Sequence, residues 1–436
     1  MRPPLPPGPY LIVGLGRSGI GAARALQARG EQVTVYDAHD KEPLGGIELV
    51  TGGDGTELLA RAACVVKSPG VPREAPVIAT ALAREIPVLG EMELAWRLLP
   101  NELIAVTGTN GKTTTTELIG AIHRAAGEPV EVAGNVGRAL STLLLEAPAP
   151  DATIVCEASS FQLEDTLAFA PDAAVLLNLT EDHLDRHHSF ERYRAAKLRV
   201  FANQGETAIA ILPEQLADLH AGAARRILFG AGESCELRLV GGAIHWQGAE
   251  LMAVGELRMR APLEDALAAA AVTLARGLPP PAVRDALAAF RGVAHRLEEL
   301  GQLDGVTYVN DSKATNVAST LTALRSFEPG AVLLILGGQG KSQDFSPLCE
   351  ELARRVVHTY LIGEDAPLIA QALGGLPFSL LETLDQAVEL AHQYARPGQV
   401  VLLSPACASF DQFDNFEARG DAFRSLLYGA GLEPAD

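Results

Sequence analysis

The sequence predicts an α/β protein built as three successive units, each with a parallel sheet. Three observations predict it. Short apolar runs alternate with helical stretches along the whole chain, as expected of strands joined by helical crossovers. Two glycine-rich loops each follow such a run and open a helix. Finally, 436 residues are too many for one ordinary domain, and 48% of them are hydrophobic, enough for several cores.

The first unit is expected over residues 1–93. It begins with Met-Arg-Pro-Pro-Leu-Pro-Pro-Gly-Pro-Tyr, a proline-rich stretch without the apolar centre of a signal peptide, which reads as a loose tail. Strands are predicted at 11–13, 33–36, 64–67 and 87–89, with helices at 20–29 and 77–84. The first strand runs into Gly14-Leu-Gly16-Arg17-Ser18-Gly19, a G-x-G-x-x-G turn, and the second ends on Asp37. Glycines there let a pyrophosphate approach the backbone, and a helix N-terminus favours its charge. Read alone, this Rossmann-like fingerprint predicts a nicotinamide enzyme. Residues 98–102, Leu-Leu-Pro-Asn-Glu, read as a linker.

The second unit is expected over 94–293, with strands at 103–106, 152–156, 173–177 and 208–212 and helices at 263–278 and 282–290. Its first strand meets Gly108-Thr109-Asn110-Gly111-Lys112-Thr113-Thr114, a P-loop-type turn. Backbone N–H groups there cradle phosphates, Lys112 reaches the outer phosphates, and the Thr113 hydroxyl suits Mg²⁺. The usual form has a further glycine where Val106 stands, so the loop is short. A γ-phosphate site is of no use to a hydride-transfer enzyme, so the two loops together strain the nicotinamide reading. The next strand ends on Glu157, well placed for Mg²⁺. Another runs into Asn178-Leu-Thr-Glu-Asp-His183, where His183 is a candidate for metal or substrate. His187 and His188 read as solvated loop residues. Lys197, taken alone, is a helix-surface lysine.

The third unit is expected over 294–436, again Rossmann-like, with strands at 307–309, 332–336, 359–362 and 400–403. The net charge of −19 argues against a nucleic-acid partner. No apolar run approaches a membrane span, so a soluble protein is expected. Five scattered cysteines without a paired spacing suit a reducing cytoplasm.

The motifs taken together resemble the Mur ligases, the ATP-dependent enzymes that build the peptide stem of bacterial peptidoglycan. The resemblance rests on Gly-Thr-Asn-Gly-Lys112-Thr, Glu157-Ala-Ser-Ser-Phe-Gln162, Thr180-Glu-Asp-His183-Leu-Asp-Arg and Tyr193-Arg-Ala-Ala-Lys197. It is extended by Ala294-His-Arg296, Asn310-Asp311-Ser-Lys313-Ala-Thr315, Leu336-Gly-Gly-Gln-Gly-Lys341 and Ser404-Pro-Ala-Cys-Ala-Ser409. These C-terminal motifs resemble the branch that adds D-glutamate. It covers essentially the whole chain.

The resemblance implies a three-domain ligase whose first domain grips the UDP of UDP-N-acetylmuramoyl-L-alanine, whose second is the ATPase and whose third receives D-glutamate. It implies phosphorylation of a carboxylate by ATP, followed by attack of the amine on the acyl phosphate. Lys112, Glu157, His183 and Lys197 inherit the catalytic roles. ATP falls to residues 108–114, with Arg296 and Asp311. Two Mg²⁺ fall to Thr113 and Glu157 and to His183 and Lys197, the lysine carbamylated. The UDP substrate falls to Gly14, Gly16, Arg17, Ser18, Asp37, Ser68, Gly70, Asn135, Ser159 and Gln162. D-glutamate falls to Thr315, Lys341, Ser409 and Phe416. A cytoplasmic monomer is expected, with no nucleic-acid or membrane partner. One departure stands out: Pro262 and Asp265 replace two asparagines that the family uses near adenine. The rivals are a sister ligase for another amino acid, a nicotinamide oxidoreductase and a non-catalytic UDP-sugar binder.

Overall fold

A computed structural model describes residues 2–259, 262–340 and 343–432. Three sheets carry the architecture. The first contains β1 (Tyr10–Val13), β2 (Val33–Asp37), β3 (Glu48–Thr51), β4 (Cys64–Lys67) and β5 (Val88–Gly90), all parallel, in the order β3-β2-β1-β4-β5. Both faces of β1 are buried. Alternate side chains of a strand point to opposite faces. Tyr10 and Ile12 therefore pack with helix α1 (Arg17–Ala28), and Leu11 and Val13 with α2 (Pro76–Ala83).

The helix α3 (Glu91–Leu98) explains why the expected boundary at residue 93 is not a clean one. Its Leu94 joins the first core, while Met92, Ala95 and Trp96 join the second. Accordingly the chain divides into two compact units, Met1–Leu257 with Leu263–Ala289, and Arg258–Pro262 with Phe290–Asp436. The proline-rich start is not a loose tail. Arg2 donates to the Trp96 and Asn101 carbonyls at 2.8 and 2.6 Å, and Arg97 donates to Pro4 at 2.8 Å. A guanidinium satisfies carbonyls left open at a helix C-terminus. The expected linker is also anchored: Asn101 is buried and donates to the Ala149 and Ala152 carbonyls.

The second sheet contains β6 (Leu103–Thr107), β7 (Val130–Gly134), β8 (Thr153–Glu157), β9 (Ala173–Leu176), β10 (Ile209–Pro213), β11 (Arg225–Gly230), β12 (Leu237–Val240), β13 (Ala243–Trp246) and β14 (Ala249–Ala253). Its order is β14-β13-β12-β11-β10-β9-β6-β8-β7. The last three strands form an antiparallel meander. Both of its turns, Gly241-Gly242 and Gln247-Gly248, have positive φ at each residue, the geometry that suits the twist of a hairpin. Helices α4 (Lys112–Ala125), α5 (Leu143–Glu146), α6 (Ser160–Leu163), α7 (Leu184–His187), α8 (Phe190–Leu198), α9 (Leu263–Ala275) and α10 (Pro280–Ala289) complete this part.

The third sheet, in the other unit, contains β15 (Glu298–Leu303), β16 (Val306–Asn310), β17 (Val332–Gly337), β18 (Val356–Ile362), β19 (Phe378–Leu380) and β20 (Val400–Leu403). The order is β15-β16-β20-β17-β18-β19, parallel except for β15. Helices α11 (Val317–Leu324), α12 (Leu348–Arg355), α13 (Ala366–Leu373), α14 (Leu384–Tyr394) and α15 (Phe416–Gly429) belong to it.

Candidate active site

Each sheet gathers its chemistry at the carboxyl ends of three neighbouring parallel strands, where open α/β sheets bind ligands. In the first sheet these are β2, β1 and β4; in the second β8, β6 and β9; in the third β16, β20 and β17.

The phosphate loop joins β6 to α4. Val106 lies in register with Glu157 and Val175 on the flanking strands, so the strand extends past the position where a longer loop would begin. Gly111 caps α4 with φ +83°, and a Cβ there would run into the Asp265 carboxylate. Glycine is therefore required twice over. The Lys112 ammonium donates to the Gly108 and Thr109 carbonyls at 2.9 and 2.7 Å. Asn178, which the sequence reading left without a role, braces the loop: its amide accepts from the Asn110 N–H at 2.9 Å and donates to the Asn110 carbonyl at 3.2 Å.

Glu157 stands beside this loop. Thr113 Oγ1 donates to its Oε2 at 2.7 Å, and Asn135 Nδ2 to its Oε1 at 3.2 Å. Three expected residues are thus together. Ser159 and Gln162 follow Glu157 closely in sequence. They form a reciprocal capping box at the start of α6, and Gln162 is 2% exposed. The pair expected at the substrate thus also fixes the first turn of α6, directly after the strand that ends on Glu157.

Lys197 is not a surface lysine. It is 2% exposed, donates to the Gly108 carbonyl at 2.7 Å, and lies 4.7 Å from the Tyr193 ring centroid. Burial, then the neighbouring Lys112 charge, lowers its pKa well below the ordinary lysine value. Tyr193 in turn donates to Thr109 Oγ1 at 3.0 Å. The His183 ring is 6.5 Å from that of Tyr193, centroid to centroid. Its side chain is 48% exposed, and its φ of +52° is a strained value for a non-glycine residue. The two expected partners of the second metal therefore both lie near one tyrosine ring.

His188 is exposed, as expected, but His187 is not. It is 4% exposed, stacks on Phe161 at 5.3 Å and 12°, and lies 3.0 Å from Ser160 Oγ. Its position at the end of a one-turn helix faces it inward, and a four-residue helix has no period long enough to show this in sequence.

In the first sheet, Gly14 has φ +93°, and a Cβ on Gly19 would run into the Gly14 carbonyl, so α1 approaches β1 only because glycine is there. Gly16, Arg17 and Gly70 are exposed around this turn, and Ser18 is half-buried. Ser68 is turned inward, donating to the Gly14 carbonyl at 2.7 Å. Asp37 bonds back to the same loop, accepting from the Leu15 N–H at 2.7 Å, and also accepts from the His39 N–H two residues further on at 3.0 Å. Burial opposes its charge, but these two bonds hold its pKa below the ordinary value.

In the third unit Arg419 organises the candidate amino-acid site. It is almost fully buried and donates to Ser312 Oγ at 3.0 Å, to the Ser312 carbonyl at 2.8 Å and to the Cys407 carbonyl at 3.0 Å. One guanidinium thus joins the loops after β16 and β20 to α15. Burial lowers its pKa to about 10. Ser409 is buried, and its Oγ has no hydrogen-bond partner among the described residues. Phe416 is the first residue of α15, and Thr315 is half-buried nearby in sequence to Ser312. Lys341 lies outside the described residues. Asp311 is buried, accepting from the Leu297 N–H at 3.2 Å and from Ser404 Oγ at 2.8 Å. Its carboxylate is held within this domain, and burial raises its pKa to about 7.

The metal expectation can be tested on donor chemistry. Among the described residues no three His, Cys, Asp or Glu side chains stand together as a metal cluster. The Thr113 hydroxyl and Glu157 carboxylate do stand together, 2.7 Å apart. Mg²⁺ takes hard oxygens and uses waters and phosphates for the rest, so these residues fit it.

The fold and this site define a class. Family models match the Mur ligase MurD-like N-terminal domain at residues 9–90, the Mur ligase middle domain at 106–236 and the Mur ligase glutamate ligase domain at 295–407. The chain belongs to the Mur ligase family. Among solved structures it resembles the UDP-N-acetylmuramate-alanine ligase MurC of Thermotoga maritima, with TM-score 0.63 at 18% identity, covering 97% of this chain and 100% of that one. It also resembles the MurF ligase of the same organism in complex with ADP, with TM-score 0.61 at 17% identity, covering 98% and 96%. These show the shared fold. More specific are the curated relatives named UDP-N-acetylmuramoylalanine–D-glutamate ligase. That of Acidobacterium capsulatum is 42% identical, over 96% of this chain and 95% of the relative. That of Geotalea uraniireducens is 41% identical, over 96% of each. The nicotinamide reading of the first loop falls with these matches.

Proposed function

We propose that this chain joins D-glutamate to UDP-N-acetylmuramoyl-L-alanine in peptidoglycan precursor synthesis, converting ATP to ADP and phosphate. The observation that carries it is identity of 42% over nearly the full length of a ligase so named. The Lys112–Thr113–Glu157 group supports it.

The chemistry is set by the poor reactivity of a carboxylate. One of its oxygens attacks the γ-phosphorus of ATP, and ADP leaves. The D-glutamate amine then attacks the carbonyl carbon, and phosphate leaves. Backbone N–H groups of the 108–111 loop and the Lys112 ammonium orient the phosphates and meet the charge that develops on them. Thr113 and Glu157 would hold one Mg²⁺, and His183 with a carbamylated Lys197 would hold a second; the ions would supply further neutralisation of the phosphate charge. Lys197 suits carbamylation because its burial favours the neutral amine, which adds CO₂ to give a carbamate anion and a proton. Native mass spectrometry should detect the CO₂ adduct; an active enzyme with a free amine excludes it.

In the third unit, Thr315 and Lys341 take one carboxylate of D-glutamate, and Ser409 with the backbone at Phe416 takes the other. A site built for two carboxylates leaves charges unpaired around a neutral side chain, and so rejects it. Replacing Lys341 by Ala should raise the D-glutamate KM far more than the ATP KM. The first unit grips UDP through Gly14, Gly16, Arg17, Ser18, Ser68 and Gly70. Asp37 serves the uracil end through the loop it holds. The same reading places a monomer in the cytoplasm. The deciding assay is phosphate release. It should require both UDP-N-acetylmuramoyl-L-alanine and D-glutamate, and release supported by L-alanine or a diamino acid instead would assign a sister ligase.

A further inference from the structure

A charged knot lies between the turn after β4 and the α6–α7 segment, and none of the chemistry above uses it. Lys67, the last residue of β4, has a fully buried side chain that pairs with Asp165 at 2.7 Å. The same ammonium donates to the Val71 carbonyl at 2.7 Å. Arg186, on α7, donates to that same carbonyl at 2.9 Å, pairs with Glu164 at 3.3 Å, and lies 5.2 Å over the Phe161 ring. One carbonyl thus accepts from two cations, whose carboxylates are consecutive residues after α6.

The knot touches two functional segments. On one side Val71 closes a turn onto the Ser68 carbonyl at 3.0 Å, and Ser68 reaches Gly14 in the first glycine loop. On the other, Arg186 sits in the one-turn helix that His183 caps. Buried ion pairs add little net stability, and apolar side chains of similar volume often serve as well. Packing alone therefore does not account for two charge pairs meeting on one carbonyl. Charged donors do what an apolar strut does not: they hold a carbonyl in a fixed direction.

We propose that Lys67 and Arg186 clasp the Val71 carbonyl to set the 68–71 turn against the His183 turn, so that Arg186 is a positioning residue coupling the grip on the UDP-linked substrate to the phosphate-transfer site. The proposal rests on reading the 14–19 and 68–71 turns as that grip.

The test uses the full chain with Arg186→Met and Arg186→Lys, titrated with UDP alone and assayed for all three KM values. Arg186→Met should weaken UDP and raise the KM for UDP-N-acetylmuramoyl-L-alanine by about tenfold, the scale of one lost charged hydrogen bond. KM for D-glutamate should stay within about twofold, and Arg186→Lys, which keeps a cation, should recover part of the UDP affinity. Unchanged UDP affinity would overturn the clasp. So would a uniform loss of all three substrates together with a lowered melting temperature, which marks a purely structural role. If Arg186→Met does not fold, the comparison of Arg186→Lys with the unaltered chain decides, since a clasp requires a measurable UDP loss at an unchanged melting temperature. The UDP titration needs no turnover, so an absent ligase activity defeats the proposed function and leaves this test standing.

Discussion

Lys197 and Asp311 are both pushed by burial toward their neutral forms, with opposite consequences. For Lys197 the shift favours a chemically reactive amine beside the phosphate loop. For Asp311 it makes stability pH-dependent. Its pKa rises from the usual 3.8 to about 7 in the folded chain, so the folded state holds the proton more tightly than the unfolded one. The group then costs nothing below about pH 4, and its cost grows as pH rises to about 7. Asp311→Asn keeps an acceptor for Leu297 and removes the charge. Its melting temperature relative to the unaltered chain should therefore rise between pH 5 and pH 8, and a difference independent of pH would refute the assignment. At the phosphate loop, Lys112→Met should cut phosphate release on the order of a hundredfold. Because Lys112 is only half-buried, melting should barely move, and calorimetry on the same sample checks this. The residue types at this loop were legible in the sequence because strand, glycine and helix follow one another locally. The inward facing of His187 and the roles of Asn178 and Arg419 were not, since each depends on partners far away in the chain.

At the scale of elements, the glycine cap of α4 makes a sharp prediction. Gly111→Ala places a Cβ against Asp265 at a positive φ, so the ATP KM should rise at least about tenfold. Adding Asp265→Ala relieves the contact but not the backbone strain, so recovery should be partial; complete recovery would show that φ is unimportant. The capping box of α6 predicts a loss of about 1 kcal/mol for Ser159→Ala, read from denaturant unfolding. The fully buried strands were read from sequence within a residue or two, because β1, β4, β6 and β20 are continuous apolar runs between turn residues. Edge strands such as β3 and β14 were missed. Half-exposed strands carry mixed residues, and only their neighbours identify them.

At the scale of the molecule, the two compact units have their own cores, and each should unfold with its own transition. UDP should raise only the transition of the unit that carries the glycine loop, by about 2.7 kcal/mol at a hundredfold excess over its Kd. Equal shifts in both transitions would contradict this in differential scanning calorimetry. By itself the sequence determined the α/β class, both glycine-rich loops and the family, since each is written in residues adjacent along the chain. Tertiary structure decided the rest. It made α3 a shared wall of two cores, paired Ser159 with Gln162 in a cap, turned Asp37 and Asp311 inward, and brought Lys67 and Arg186 to one carbonyl. The physical reason is common to all of these. Burial and hydrogen-bond partnership are set by strand order in the sheets, and strand order joins segments that the sequence keeps far apart.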